Sequence, residues 1–169
     1  MLALGGVVCL LATGWGAYRL WNGEPYPDAD PQAVATRLGA QAERVRDDLA
    51  VPVPADALPS RADTGACSYR GLRSVAHIDE SRPDVRSFSL AWQTTGVPEE
   101  TARAAERRVR LRLARQGWKL AAENISDMGF RYEDPGTGDR VDVDWYEPTG
   151  TLAARVHAPC GKVPGDHPG

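Results

Sequence analysis

Three side chains in the C-terminal third of the sequence have the types that hydrolytic or metal chemistry uses: Asp142, Asp144 and His157. Two carboxylates and an imidazole can serve as general acid and base, and carboxylates also bind divalent cations. The residues around Asp142 and Asp144 alternate between apolar and polar, however, as in a strand that buries one face. This pattern predicts that both aspartates lie on the exposed face of a strand.

Pairing with neighbouring strands explains these aspartates without a catalytic or metal site. In the hairpin register given below, Asp142 faces Arg131 on one neighbouring strand and Arg155 on the other, which predicts a ladder of exposed ion pairs. Exposed pairs contribute only tenths of a kcal/mol, so we expect Asp142→Asn to change the stability by less than about 1 kcal/mol. We expect the same change to abolish no metal binding.

Other motifs that carry chemistry are missing from the sequence. None of the histidines, His77, His157 and His167, has a cysteine, histidine or carboxylate at the spacing that a zinc site uses. No serine lies in a G-x-S-x-G elbow, and no glycine-rich loop joins a strand to a helix as a phosphate site requires. The sequence therefore predicts no catalytic residue, no cofactor and no metal ion.

The charge distribution argues against nucleic acid as a partner. The 169 residues carry 20 basic and 23 acidic side chains, a net charge of −3, whereas domains that bind a phosphate backbone are basic. Basic residues do cluster in RRVRLRLAR, residues 107–115. This run suits either a surface for anionic lipid or polymer, or the solvated last turns of a helix, where cations are favourable. The second interpretation is preferred.

Capping signals and the spacing of apolar residues predict two helices. Asp30 and Pro31 suit a helix start, and an apolar stripe extends from there to about Leu49. A second helix is predicted between Pro98 and the stop signal Gly117. The residues expected on its buried stripe are Ala102, Ala105, Val109 and Leu113.

Strands are predicted from alternation of period two. One begins at Val85 and buries Phe88, Leu90 and Trp92, which alternate with small residues, while residues 61–84 predict only one short strand. Another follows Gly117 and buries Trp118, Leu120 and Ala122. The tryptophans Trp92, Trp118 and Trp145 all fall on inward faces, so we expect each replacement by alanine to cost about 3 kcal/mol or more.

The last three strands form a hairpin meander. Turn signals occupy residues 134–139 and 147–150, and the register follows from opposing residue 133 to 140 and residue 146 to 151. This single register sorts the apolar and polar side chains of all three strands onto opposite faces. The predicted buried face contains Phe130, Tyr132, Val141, Val143, Trp145, Leu152, Ala154 and Val156.

These elements predict an α+β fold. Its antiparallel sheet follows a β-α-β-β-β-β meander with helices packed on one face, and an N-terminal membrane helix precedes it. The predicted boundaries are an N-terminal transmembrane anchor or signal segment over 1–21, a spacer over 22–30, a single extracytoplasmic domain over 31–160 and a disordered tail over 161–169.

The first residues have the composition of a membrane segment. Leu2 to Tyr18 contains no charge and is close to the minimum length that crosses ~30 Å of hydrocarbon as a helix. No basic residue precedes it, whereas cleavable signal peptides carry basic residues before the apolar run. We therefore favour an uncleaved single-pass anchor over a secreted protein with a cleaved signal. Arg19 taken alone would keep the following domain in the cytoplasm.

The cysteines favour the opposite orientation. Cys67 and Cys160 are the only cysteines beyond the apolar segment, and they lie near opposite ends of the predicted fold. Such a pair is typical of a disulfide formed in an oxidising compartment. The alternative is two unrelated thiols in a cytosolic protein. We expect the bond, and with it an extracytoplasmic domain on the cell membrane.

The order of these features resembles that of the uncharacterised small exported or membrane-anchored proteins of high-GC Gram-positive bacteria. The resemblance rests on residues 60–160, with a cysteine, a strand ending at Trp92, the segment PEETARAAERRVRLRLARQGW and a hairpin meander that ends in a cysteine. It implies a cell-envelope location and no known activity, so it assigns no functional residue.

Three hypotheses for the function follow from these observations. The preferred one is a non-catalytic, membrane-tethered module that has a structural role or interacts with another protein of the envelope. The alternative is a module that binds an envelope ligand, which a pocket lined by aromatic side chains and reached by unpaired polar groups would favour. A hydrolase that uses Asp142, Asp144 and His157 is the least favoured.

Overall fold

The computed structural model describes residues 16–52, 59, 61–123 and 128–165. The strands are β1 (Asp63–Ser68), β2 (Ser81–Thr94), β3 (Lys119–Glu123), β4 (Met128–Glu133), β5 (Arg140–Tyr146) and β6 (Thr151–Lys162), and the helices are α1 (Pro31–Leu49), α2 (Arg73–Ala76) and α3 (Glu99–Arg115). The strands form one antiparallel sheet in the order β1-β2-β6-β5-β4-β3, with helices on one side. The predicted α+β class and antiparallel sheet are confirmed.

The predicted membrane helix over Leu2–Tyr18 lies outside the described residues except for its last three. These three belong to a helical stretch over residues 16–22. In the described part of the chain, no helix has the length and apolar composition that crossing a membrane requires.

The protein divides into two compact units. The first unit contains the chain up to Asp28, the segment Ala66–Arg86 and the residues from Cys160 onward. The second unit contains Ala29–Gly65 and Ser87–Pro159, and it includes α1, α3, β3, β4 and β5.

The predicted disulfide is confirmed and lies within the first unit. Cys67 and Cys160 are bonded across 93 residues of chain, with their Cα atoms 6.2 Å apart. Hydrogen bonds join the same three segments: the Tyr26 hydroxyl donates to the Ser68 carbonyl at 2.6 Å, and the Lys162 N–H donates to the Pro27 carbonyl at 2.7 Å. The first unit is therefore assembled from pieces that are far apart in sequence.

Helix α1 begins and ends where the sequence predicts. The Asp30 carboxylate accepts hydrogen bonds from the N–H groups of Gln32 and Ala33, at 2.9 and 3.4 Å, and Pro31 occupies the first turn. Both features satisfy or remove N–H groups that have no partner inside the helix. The buried apolar stripe consists of Val34, Leu38, Ala42, Val45 and Leu49.

Helix α3 ends at the predicted glycine. Gly117 has φ +85°, and its N–H donates to the Ala114 carbonyl while the Trp118 N–H donates to the Leu113 carbonyl. This pair of bonds is the Schellman motif, in which a left-handed residue satisfies the last free carbonyls. All four residues predicted for the stripe are buried: Ala102, Ala105, Val109 and Leu113.

The meander has the predicted register. Glu133 pairs with Arg140 and Tyr146 pairs with Thr151, and all eight residues predicted for its inward face are buried. Trp145 on this face also donates from Nε1 to the Val97 carbonyl at 3.0 Å. One sheet face therefore supplies the apolar core of the second unit.

The predicted inward face of β3 is wrong. Leu120 is 46% exposed, and Trp118 precedes the strand and is only partly buried. Two features of β3 explain the difference. It lies at the edge of the sheet, and its register to β4 shifts between Leu120 and Ala122, so that strict alternation is lost.

Strand β2 is longer than predicted, and another strand precedes it. β2 begins at Ser81, where polar residues and Pro83 give no alternating pattern, and Val85, Phe88, Leu90 and Trp92 are buried. The step of three from Val85 to Phe88 interrupts the period of two. One short strand, β1, does lie between residues 61 and 84, but it contains Cys67 rather than following it, and Val75 belongs to the short helix α2 instead.

Candidate functional site

The candidate site lies on the polar face of the meander, within the second unit. Strand β5 places Asp142 opposite Arg131 of β4 and opposite Arg155 of β6. Side chains alternate across a strand, so the residues between the core positions point away from the core. These residues are Arg131, Asp142, Asp144, Tyr146, Arg155 and His157.

A cavity of about 540 Å³ opens on this face, and we call it the sheet pocket. Its polar lining consists of Gln93 from β2 together with Arg131, Asp142, Asp144, Tyr146 and Arg155 from the meander. Alanines at 91 and 153 leave space between the larger side chains. The pocket is therefore a polar concavity with one exposed aromatic side chain, since Tyr146 is 47% exposed.

Asp142 is buried, which corrects the prediction that it belongs to an exposed ladder. It is 6% exposed, and both of its carboxylate oxygens accept hydrogen bonds from Arg131, from Nε at 2.7 Å and from Nη2 at 2.9 Å. The hydrogen bonds to Asp142 raise the pKa of Arg131. The reason for the difference is geometric, because the planar guanidinium covers the carboxylate that the strand alternation places at the surface.

Arg155 is the second arginine opposite Asp142, and it behaves differently. It is exposed, and it makes no ion pair with any residue that the structure describes. Of the two ion pairs predicted for Asp142, the one with Arg131 forms and the one with Arg155 does not. Arg155 therefore remains at the pocket wall without an ion pair to any described residue. A guanidinium that makes no ion pair within the described part of the chain can donate two parallel hydrogen bonds to a carboxylate or phosphate from outside the chain.

His157 lies on the same face but does not act with a carboxylate. Its Nε2 atom is buried without a hydrogen-bond partner among the described residues. Burial lowers the pKa of His157; the neighbouring Asp142 opposes this shift, while Arg140 and two other arginines add to it. In the described residues the imidazole makes no hydrogen bond to Asp142, so this carboxylate does not orient it as the aspartate of a catalytic triad does.

The three residues considered for hydrolysis are thus neighbours without forming a catalytic constellation. Asp142 already accepts two hydrogen bonds from Arg131, and Asp144 has an interaction partner of its own. Among the residues with described positions, no group of three or more His, Cys, Asp or Glu side chains is arranged to hold a metal ion.

The arginine run of α3 is solvated in part, since Arg107, Arg108 and Arg115 are exposed, and it also has a structural role that the sequence did not predict. Arg108 donates to the backbone carbonyls of Asp48 and Leu49 at the end of α1, and Arg112 pairs with the Asp48 carboxylate. Arg110 pairs with Glu123 at 2.7 Å. Three of these cations therefore join α3 to α1 and β3, and Arg108 among them satisfies carbonyls that the end of α1 leaves free.

Some buried polar residues were missed. Glu106 is 7% exposed, and its Oε1 atom has no hydrogen-bond partner among the described residues, while burial raises its pKa. It follows Ala102 by four positions and precedes Val109 by three, so helical spacing places it within the stripe. Asp139 is also buried and pairs with Arg37 of α1 at 2.6 and 2.9 Å, which no local pattern could reveal.

Comparison with known proteins adds no assignment. The chain matches no family model, no curated protein and no solved structure. The function is therefore inferred from the geometry of the chain itself.

Proposed function

We propose that the chain is a membrane-tethered, extracytoplasmic module that binds another protein of the cell envelope through the sheet pocket, without catalysis. The observation that carries this proposal is that the sheet pocket is lined both by an exposed tyrosine, Tyr146, and by a cation that makes no ion pair in the described residues, Arg155. Tyrosine and arginine are enriched where protein interfaces concentrate their binding energy, because each combines apolar surface with hydrogen-bond donors.

The chemistry of the pocket supports binding over hydrolysis. The Asp142 carboxylate accepts two hydrogen bonds from Arg131 and is 6% exposed, so little of it is accessible to an incoming water or metal. Arg155, by contrast, presents its donors to solvent. An acidic side chain or the C-terminal carboxylate of the partner fits this position.

A second candidate follows from the size of the pocket. Its volume of about 540 Å³ lies within the range of small-molecule sites, which is roughly 300 to 1,000 Å³. A small envelope ligand with a carboxylate or phosphate could therefore occupy the pocket in place of a protein. The lining argues against this second candidate, because it is largely polar with one exposed aromatic residue, whereas most small-molecule pockets are mainly apolar.

The location is supported by the disulfide and by the apolar N-terminal sequence. Cys67 and Cys160 are bonded, and such bonds persist in oxidising compartments outside the cytoplasm. The uncharged residues from Leu2 to Tyr18 supply the proposed tether. The resemblance to small exported or membrane-anchored proteins of high-GC Gram-positive bacteria agrees with both.

A photo-crosslinking experiment in the producing cells tests the proposed interface. A photoreactive phenylalanine analogue replaces Tyr146, and we expect a crosslinked protein that is lost when Arg155→Glu is added. Arg115→Glu is the matched control, because Arg115 is also an exposed arginine but does not line the pocket. The crosslink should survive this control.

Three other outcomes are informative. A crosslink that survives Arg155→Glu contradicts the assignment of the sheet pocket. A small molecule that copurifies with the wild-type protein and is lost in the Arg155→Glu variant favours the second candidate. A chain that alkaline carbonate removes from the membrane, or whose intact mass lacks the N-terminal residues, contradicts the proposed tether.

A further inference from the structure

Exposed apolar side chains are concentrated in the described part of the first unit. We define the apolar patch as Tyr18, Leu20, Trp21, Leu72, Val75 and Ile78, each about half exposed or more. Val75 and Ile78 reach 69% and 73% exposure. Six of the nine large apolar residues that are exposed in the described part of the chain lie in this patch. Such a concentration marks an interaction surface, since single exposed apolar residues need no explanation but clusters do.

Two segments build the patch, and they are in direct contact. The Leu72 N–H donates to the Leu20 carbonyl at 3.1 Å. Gly23 and Gly71 both have positive φ, and a Cβ atom on Gly71 would lie 2.3 Å from the Gly23 nitrogen. The backbones approach this closely only because neither residue has a side chain. Residues 20–23 and 70–72 are therefore in direct contact, and the exposed residues of the two segments flank this contact.

A basic pocket lies beside the patch in the same unit. This cavity of about 410 Å³ is lined by four basic residues, Arg19, Arg73, Arg82 and Lys162, and by two acidic ones, Glu24 and Asp28. Arg82 is paired with Asp84. Arg73 and Lys162 make no ion pair within the described residues. Arg73 lies over the Tyr69 ring at 5.0 Å, so among the described residues the pocket offers two cations without an ion pair, of which Arg73 is held against an aromatic ring.

We propose that the apolar patch and the basic pocket form a surface that docks on the headgroup region of an anionic lipid bilayer. The proposal rests on the proposed membrane tether, because the patch begins at Tyr18, where the apolar segment from Leu2 ends. Tryptophan and tyrosine are enriched at membrane interfaces. The aliphatic side chains enter the acyl boundary, and Arg73 and Lys162 bind lipid phosphates.

A fluorescence experiment on the full chain tests the docking. The free thiol is first removed with Cys9→Ala, and Ile78→Cys is labelled with the environment-sensitive dye NBD, while the disulfide protects Cys67 and Cys160. The protein is incorporated into vesicles of phosphatidylcholine and phosphatidylglycerol that contain a lipid-borne quencher. We expect a blue-shifted emission that the quencher reduces, and the same result for Val75→Cys.

Leu111→Cys is the matched control, because Leu111 is also an exposed aliphatic residue, 56% exposed, but lies outside the patch. Its dye should show neither change. Arg73→Gln and Lys162→Gln should each lower the ratio of docked to undocked protein about fivefold, since a basic residue near an anionic surface contributes about 1 kcal/mol. Arg115→Gln should leave the ratio unchanged, and vesicles of phosphatidylcholine alone should weaken docking.

The possible failures are distinguishable. Protein that does not float with the vesicles contradicts the tether and the docking together. Protein that floats, but whose dyes at 75 and 78 are neither shifted nor quenched, contradicts the docking alone. A blue shift without quenching means that another protein or a second copy covers the patch, and it also overturns the proposal. Equal quenching at 111 shows that the signal is not specific to the patch.

Discussion

At the scale of single residues, two ion pairs between the same strands differ in burial and in their number of hydrogen bonds, two for Arg131–Asp142 and one for Arg140–Glu133. Arg131–Asp142 and Arg140–Glu133 each have an Nε to oxygen distance of 2.7 Å, and both join strands β4 and β5. The side chain of Asp142 is 8% exposed, whereas that of Glu133 is 37% exposed. Water can replace the partner of the second carboxylate but reaches the first one poorly.

We therefore expect Asp142→Asn to lower the free energy of unfolding by about 1 to 3 kcal/mol, since it breaks a buried pair whose arginine keeps some contact with water. This loss of stability is larger than the change of less than about 1 kcal/mol expected for an exposed ion pair. Chemical denaturation of the purified variant measures the change. Glu133→Gln is the matched control and should cost only tenths of a kcal/mol. Equal losses in the two variants would show that burial does not govern the pair.

Glu106 predicts a dependence of stability on pH. Burial is the main cause that raises its pKa; Arg110 and Arg103 oppose the shift, and Asp144 and Glu123 add to it. The folded state therefore binds the proton more tightly than the unfolded state, whose pKa is near 4.5. The stabilising contribution is complete below that pH and is lost as the pH rises through the higher pKa of the folded state.

Glu106→Gln removes this titration. We expect the variant to exceed the wild type in free energy of unfolding by about 1 kcal/mol at neutral pH, because it no longer buries a charge with an unpartnered oxygen. The difference in free energy of unfolding between Glu106→Gln and the wild type should disappear at acidic pH, where Glu106 is protonated in both the folded and unfolded states. Denaturation curves across the pH range measure it, and Glu100→Gln, an exposed position of the same helix, is the control. Parallel curves for Glu106→Gln and the wild type would mean that the carboxyl does not titrate differently in the fold.

At the scale of elements, prediction succeeded where independent local signals agreed. The register of the meander follows both from its turns and from alternation on three strands, and the same pairs occur in the structure. Strand β3 has alternation alone, and an edge position with a register shift is enough to invalidate it. Turn signals and side-chain alternation each exclude different strand registers, so a register that satisfies both is well determined.

Long-range contacts account for what the sequence could not reveal. The six polar residues of the candidate site were assigned to the correct face, yet which aspartate is covered depends on the path of the Arg131 side chain. The secondary structure of residues 61–84 could not be predicted in full for a similar reason. Its one-turn helix α2 follows a glycine contact with residues 20–23, and that contact is invisible to any pattern within the segment.

At the scale of the whole molecule, the two units depend on different interactions. The second unit contains the two long helices and most of the residues with complete burial. The first unit combines three distant segments, exposes six large apolar residues and contains the disulfide. A unit with little apolar core needs a covalent constraint more than one with a large core.

The disulfide should therefore stabilise the first unit most. A bond that closes 93 residues is worth ~4 to 5 kcal/mol in the chain-entropy model, against a typical total of ~5 to 15 kcal/mol for a folded domain. We expect reduction to lower the melting temperature. The variant Cys67→Ala with Cys160→Ala should melt at the same lowered temperature with or without reductant, whereas Cys9→Ala should respond to reductant as the wild type does.

Hydrogen exchange shows where the stability is lost. On reduction, amides of the first unit, in residues 16–28, 66–86 and 160–165, should lose protection while those of α3 and β5 keep more of theirs. The physical reason is that the segments of the first unit must be brought together across long loops, and the bond removes much of that entropic cost from the folding equilibrium. A uniform loss of protection in both units would indicate that they unfold as one cooperative body. An unchanged melting temperature after verified reduction would contradict the stabilising role itself.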